Sequence, residues 1–370
     1  MNPKLRILYV FLLVEVLSTV AVADSKPLRV FILAGQSNMD GQAHIRTIDF
    51  LGEDMDPTRA ALLKIFKPDG ETLMTRDDVW VANNANGNLQ PGFGGRRDYS
   101  KLGNNIGPEY SFGYYLGEAF DEQVLLIKYA PGGQSLYVNF RPPSAGNTGN
   151  EKLDNQLLTQ EAADQWNGGQ IEPVVGLQYR KMVRFVHQTL KNLKANFPDY
   201  DEKAGYEIAG FVWFQGFNDL FDETGRRQYG ANLVHLIHDV RAEFDVPKMP
   251  VVVGVMGVNG PHNEHNPKQK DVRNGQRFIN TLPEFQGNAR AIETAPLLEP
   301  RVVALTAGSW LPEYDRDFNV NPITTEERAM LNRATSNKGF HYSGEGRFFI
   351  LVGKAFAETM QQLIGLSEQN

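Results

Sequence analysis

The sequence predicts an α/β fold, a three-layer α/β/α sandwich on a parallel sheet. Three observations carry this. Five short runs, Leu28–Ala34, Gln123–Tyr129, Ile208–Phe214, Pro250–Met256 and Arg301–Ala307, are rich in Val, Ile, Leu or Phe. Continuous apolar runs of that length fit strands covered on both faces. Stretches of helical period lie between them, and alternation of this kind implies right-handed crossovers. The 370 residues are 41% hydrophobic and 22% charged, a globular composition that excludes disorder, collagen and coiled coil. Cysteine is absent, which removes disulfides, thiolate metal sites and cysteine nucleophiles. A formal charge of −7 argues against a general nucleic-acid-binding surface.

The elements follow in chain order. Lys4 and Arg6 precede an apolar run from Ile7 to Val22, and Ala21-Val22-Ala23 supplies small residues. That is the pattern of a signal peptide over residues 1–23, so the mature protein is expected to be exported, periplasmic or extracellular, and free of the membrane. The run is too short for a membrane anchor and is interrupted by Glu15. Residues 24–370 show no linker and are read as one domain. The first strand breaks at Gly35-Gln36-Ser37. A helix over Pro108–Phe120 leads into the second strand. Val174–Phe197 places Val175, Leu177, Met182, Phe185, Val186 and Leu190 on one face. Gly225–Phe244 follows the third strand, and Gly344–Ile364 closes the chain. Stretches 43–106, 139–172 and 258–280 are polar insertions, too long for plain connections.

Chemistry gathers at the carboxyl ends of the strands, where doubly wound sheets bind ligands. Ser37 follows the first strand, where it is either a nucleophile or a helix N-cap. The second strand ends Pro131-Gly132-Gly133-Gln134-Ser135, and paired glycines let backbone approach a ligand. No phosphate-loop pattern is present. The third ends Gln215-Gly216-Phe217-Asn218-Asp219, and the Gln215 and Asn218 amides suit a developing oxyanion. Gln36, Gln134 and Ser135 are candidate substrate contacts. His341 is the candidate general base, an imidazole titrating near neutrality. His262-Asn263-Glu264-His265 lacks the HExxH spacing of a zinc helix, and no metal or cofactor is expected. Trp80, Phe93, Tyr99 and Trp166 are candidate sugar contacts or loop packing.

Gly-Gln-Ser-Asn-Met at 35–39, Pro-Gly-Gly-Gln-Ser at 131–135, Trp-Phe-Gln-Gly-Phe-Asn-Asp at 213–219 and Gly-Phe-His at 339–341 together resemble the SGNH hydrolases. The likeness is to the sialate O-acetylesterase and acetylxylan esterase branch. It spans roughly residues 28–357, with the motifs in the family's order. The resemblance implies a flavodoxin-like sandwich with a five-stranded parallel sheet. It implies Ser37 as nucleophile, His341 as base, and an oxyanion hole from Ser37, Gly133, Asn218 and Gln215. The implied substrate is an acetylated oligo- or polysaccharide, with deacetylation through an acetyl-enzyme. An esterase or lipase of other substrate class and a non-catalytic carbohydrate-binding relative are the alternatives. The family's Asp three residues before the histidine is replaced by Lys338, with Asn337 before it, and neither is an anion. Asp40, Asp219, Asp222, Glu345, a backbone carbonyl or a plain dyad remain open for that role.

Overall fold

The computed structural model describes residues 26–261, 266–306 and 323–366. The candidate signal peptide and the His262–His265 segment lie outside them. Among the described residues nine strands form: β1 (Leu28–Gly35), β2 (Ala43–His44), β3 (Arg76–Asn83), β4 (Ala85–Leu89), β5 (Asn105–Ile106), β6 (Val124–Tyr129), β7 (Tyr206–Phe214), β8 (Val251–Val255) and β9 (Ala289–Glu293). Seven make one sheet in the order β4-β3-β6-β1-β7-β8-β9, and β2 pairs with β5 separately. Neighbours in the large sheet are parallel except β3 and β4. The order reverses at β1, which pairs with β6 on one side (Ile32 opposite Ile127) and β7 on the other (Ile32 opposite Phe211). Such a reversal opens a crevice at the carboxyl ends of the central strands.

Two expectations are corrected. The sheet has seven strands, not five. Inside the 43–106 insertion, Val79-Trp80-Val81-Ala82 is a short buried run that pairs with β6, and a turn at Asn84 (φ 56°) returns the chain as β4. Second, Arg301–Ala307 is not a strand: Pro300–Thr306 is a helix. Proline fits a helix's first turn, because its missing N–H would have no partner there. The strand beside β8 is β9, whose Ala289 and Ala291 are buried while Arg290 is exposed. Edge strands of this kind alternate rather than run continuously apolar.

The expected helices form over Glu109–Ala119, Leu177–Lys191, Glu223–Glu243 and Gly346–Ile364. The first and last pack together, with Ser111 Oγ donating to the Ile350 carbonyl at 2.8 Å. Gly35 ends β1 against β7. A Cβ there would sit 2.2 Å from the Phe214 carbonyl oxygen, so only glycine lets the strands keep their spacing. No helix of the described residues is long and apolar enough to cross a membrane.

Candidate active site

Ser37 begins a single helical turn, Ser37–Asp40, directly beyond β1, with 9% of its surface exposed. The turn is anchored from below. The Lys128 ammonium, at the end of β6, donates to the Asp40 carbonyl (2.7 Å), the Phe93 carbonyl (3.0 Å) and the Glu109 carboxylate (2.7 Å). Both ions of that pair are fully buried. Buried charge is tolerable only when paired and hydrogen-bonded, and here both conditions hold. Asp40 itself accepts from the Tyr99 hydroxyl at 2.7 Å. Burial pushes its carboxyl up to about 6.

The strand ends bring a relay of amides beside Ser37, and its hydrogen-bond directions can be read from its inner end. Both Asp219 oxygens accept backbone N–H groups, of Leu136 (2.9 Å) and Tyr137 (3.0 Å). The group that Gln215 turns to Asp219 (2.7 Å) is therefore its NH2. The two hydrogens of that nitrogen are shared among Asp219, the Gln134 carbonyl (2.9 Å) and Gln36 Oε1 (3.0 Å). Gln36 Oε1 also accepts the Asn218 N–H (3.3 Å), so Gln36 Nε2 faces Asn218 and donates to its Oδ1 at 3.1 Å. Asn218 Nδ2 then points away from the relay with no acceptor among the described residues. Asp219 is wholly buried, which pushes its carboxyl up to about 6. It is an anion near neutrality and holds these directions.

The relay separates the two amides that the sequence put forward together. Gln215 is consumed by protein acceptors, and its carbonyl oxygens take the Tyr229 hydroxyl (3.0 and 2.9 Å) and Gln276 Nε2 (2.6 Å). It holds the loop and has no donor to spare for substrate. Tyr229 and Gln276 were not singled out in the sequence, where a helical Tyr and Gln carry no motif. Gln134 folds back onto the Gly132 carbonyl (2.8 Å), and Ser135 caps its own turn through Asn139 and the Val138 N–H. Neither side chain is aimed at Ser37. In the exposed corner before them, a Cβ on Gly132 would lie 4.0 Å from Ser37 Cβ, while Gly133 (φ 73°) faces open space.

His341 lies half-buried in the 3-10 segment Gly339–Gly344. Asn38 Nδ2 donates to the Tyr342 hydroxyl at 3.4 Å, tying the residue after Ser37 to the residue after His341. Burial, helped by the Lys338 ammonium, pulls the imidazole down to about 4. None of the four candidate carboxylates reaches it. Asp40 faces Tyr99, Asp219 faces Gln215, Asp222 caps the helix Glu223–Glu243, and Glu345 accepts the Glu299 N–H. Asn337 Oδ1 instead lies 3.0 Å from His341 Nδ1.

Three phenylalanines border the site. Phe340 packs edge-on to His341 (4.4 Å) and against Phe217 (5.6 Å), which meets Phe221 (5.5 Å). Phe221 is 64% exposed. The aromatics chosen from the sequence serve otherwise. Trp80 stacks on Phe197, Phe93 is core, Tyr99 holds Asp40, and Trp166 stands exposed. Among the described residues, no cluster of three or more His, Cys, Asp or Glu could hold a metal.

Over 50 residues the chain is 34% identical to a probable carbohydrate esterase of Arabidopsis thaliana, spanning 14% of this chain and 19% of that protein. The structure of a protein from Arabidopsis thaliana aligns with a TM-score of 0.47 at 14% identity, covering 90% of this chain and 98% of that one. NanS aligns at 0.49 and 13%, covering 92% and 98%. A carbohydrate acetylesterase from Xanthomonas citri aligns at 0.41 and 15%, covering 73% and 51%. The family described as "Carbohydrate esterase, sialic acid-specific acetylesterase" matches residues 27–287, most of the chain, and this protein belongs to it.

Proposed function

We propose that this protein is a serine esterase that removes O-acetyl groups from an oligo- or polysaccharide. The observation that carries the reading is the amide relay, in which Gln36, the residue before Ser37, holds Asn218 by its Oδ1 and leaves Nδ2 without an acceptor among the described residues. Ser37 Oγ attacks the acetyl carbonyl carbon while His341 takes the hydroxyl proton. The negative charge that develops on the carbonyl oxygen is held by Asn218 Nδ2 and the backbone N–H groups of Ser37 and Gly133. His341 returns its proton to the departing sugar oxygen. It then activates a water that releases acetate from Ser37. No hydrogen bond joins Ser37 to His341 among the described residues, and catalytic hydrogen bonds commonly tighten only with substrate bound. The Phe217–Phe221–Phe340 rim suits the apolar face of a sugar ring, since aromatic side chains supply wide contact area at fixed geometry. Residues 1–23 direct export in this reading, and 24–370 act as one domain.

The test is acetate release from p-nitrophenyl acetate and from acetylated glycans by residues 24–370. The Ser37→Ala variant is expected to lose activity by several orders of magnitude. Equal activity in the two proteins removes Ser37 as nucleophile. Inactivity of both on every acetylated substrate removes the esterase reading.

A further inference from the structure

Asn337 Oδ1 accepts the backbone N–H of Lys338 at 2.8 Å, and the same atom lies 3.0 Å from His341 Nδ1. A backbone N–H can only donate, so this atom is the amide oxygen and not the NH2 nitrogen. An oxygen can only accept from the imidazole, so Nδ1 carries the hydrogen and Nε2 is bare. We propose that Asn337 is the positioning residue of His341, a neutral amide that fixes the tautomer able to take the Ser37 proton. The inference rests on the serine-esterase reading above.

The surrounding loop is built to hold this contact. The N–H groups of His341 and Ser343 donate to the Lys338 carbonyl at 2.9 and 3.0 Å. Those of Ser336 and Asn337 donate to the Ser343 carbonyl at 2.8 and 3.0 Å. Tyr342 and Ser343 take left-handed backbone (φ 53° and 54°) to close the loop. Side chains rarely adopt such backbone without compensation, and it concentrates at functional sites. A Cβ on Gly344 would strike Asn337 Cβ at 2.8 Å, so glycine alone lets Asn337 sit where it does. An asparagine in an orienting position fails when its NH2 faces the histidine, because the wrong ring nitrogen is then protonated. The Lys338 N–H prevents that.

A carboxylate would orient the ring and also stabilise its cation, whereas an amide does only the first. The carboxylates on neighbouring elements do not compensate. Asp40 faces Tyr99 and Gln42, Asp219 faces Gln215, and Glu345 faces the Glu299 N–H. His44 accepts the Arg46 N–H. Lys338 is the charged group acting on the imidazole among the described residues, and it opposes protonation. The base thus stays neutral into acid, and the working range extends below that of an esterase with an anionic third member.

The experiment measures kcat and KM on p-nitrophenyl acetate from pH 4 to 9 for wild type, Asn337→Ala, Asn337→Asp and Ser37→Ala. It is joined by ¹⁵N NMR of the His341 ring in wild type. Asn337→Ala is expected to lower kcat at least about 10-fold with KM within about twofold, as loss of an interaction felt at the reacting centre does. Asn337→Asp is expected to retain turnover and move the acid limb of kcat/KM upward by about one pH unit or more, through the added anion. The spectrum is expected to show Nδ1 protonated. Unchanged kcat in Asn337→Ala, an unmoved acid limb in Asn337→Asp, or a neutral ring protonated on Nε2 overturns the proposal. The ring spectrum needs no turnover, so an inactive wild type with Nδ1 protonated fails the esterase reading and leaves the orientation standing.

Discussion

At the scale of single residues, the site depends on which end of each amide faces which neighbour. Gln36, Gln215 and Asn218 were all legible in the sequence as amides at strand ends. Their directions were not, because they are set by Asp219, whose carboxylate meets the Leu136 and Tyr137 N–H groups from a distant loop. Sequence reasoning gave Gln215 and Asn218 the same role, and the relay divides them. If Asn218 acts as proposed, Asn218→Ala is expected to lower kcat by about 10²–10³, the usual cost of losing one oxyanion donor. Asp219→Asn is expected to lower it by about 10-fold or more without touching Ser37. The new NH2 must face either Gln215 or a backbone N–H, and the relay loses its anchor. Steady-state kinetics on both variants, with circular dichroism to verify folding, decides it. An Asp219→Asn enzyme of undiminished kcat would show that the relay does not set the donor.

At the scale of elements, the four central strands were legible because continuous Val, Ile and Leu runs occur where both faces are covered. Val251 to Val255 is such a run, and every residue in it is buried. β9 was not legible. Ala289-Arg290-Ala291-Ile292-Glu293 has one covered face and the composition of a loop, while Arg301–Ala307 is apolar enough to pass for a strand. Length and β-branching do not separate a short amphipathic helix from a strand, and Pro300 was the available signal. β3 was hidden by Asp77, Asp78 and Asn83 around its four apolar residues. The close approach of β1 and β7 gives a prediction at this scale. Gly35→Ala is expected to cost about 1–3 kcal/mol by forcing the strands apart at the Phe214 carbonyl. Urea denaturation measures it, and an unshifted midpoint would mean that the strands part without strain.

For the whole molecule, three buried carboxyls share one behaviour. Burial raises Asp40 and Asp219 to about 6 and Glu345 to about 8. The folded state therefore holds protons that the unfolded chain has released. Their contribution to stability is full below the unfolded values of 3.8 and 4.5 and is lost as pH rises through the folded ones. Glu345 contributes the upper part of that loss, and one of its oxygens, Oε1, is buried without a partner. Glu345→Gln is expected to melt near wild type at pH 4 and clearly above it at pH 8.5. Parallel melting curves at both pH values would remove Glu345 as the source.

The tie between Asn38 and Tyr342 spans 304 residues. The strand that leads to Ser37 leaves the ribosome early, and His341 arrives just before the last helix. Loop closure across such a separation comes late in folding, since its entropy is repaid only once the intervening structure exists. During refolding, hydrolytic activity is expected to be the last property to return, after the sheet's circular dichroism and after burial of its tryptophans.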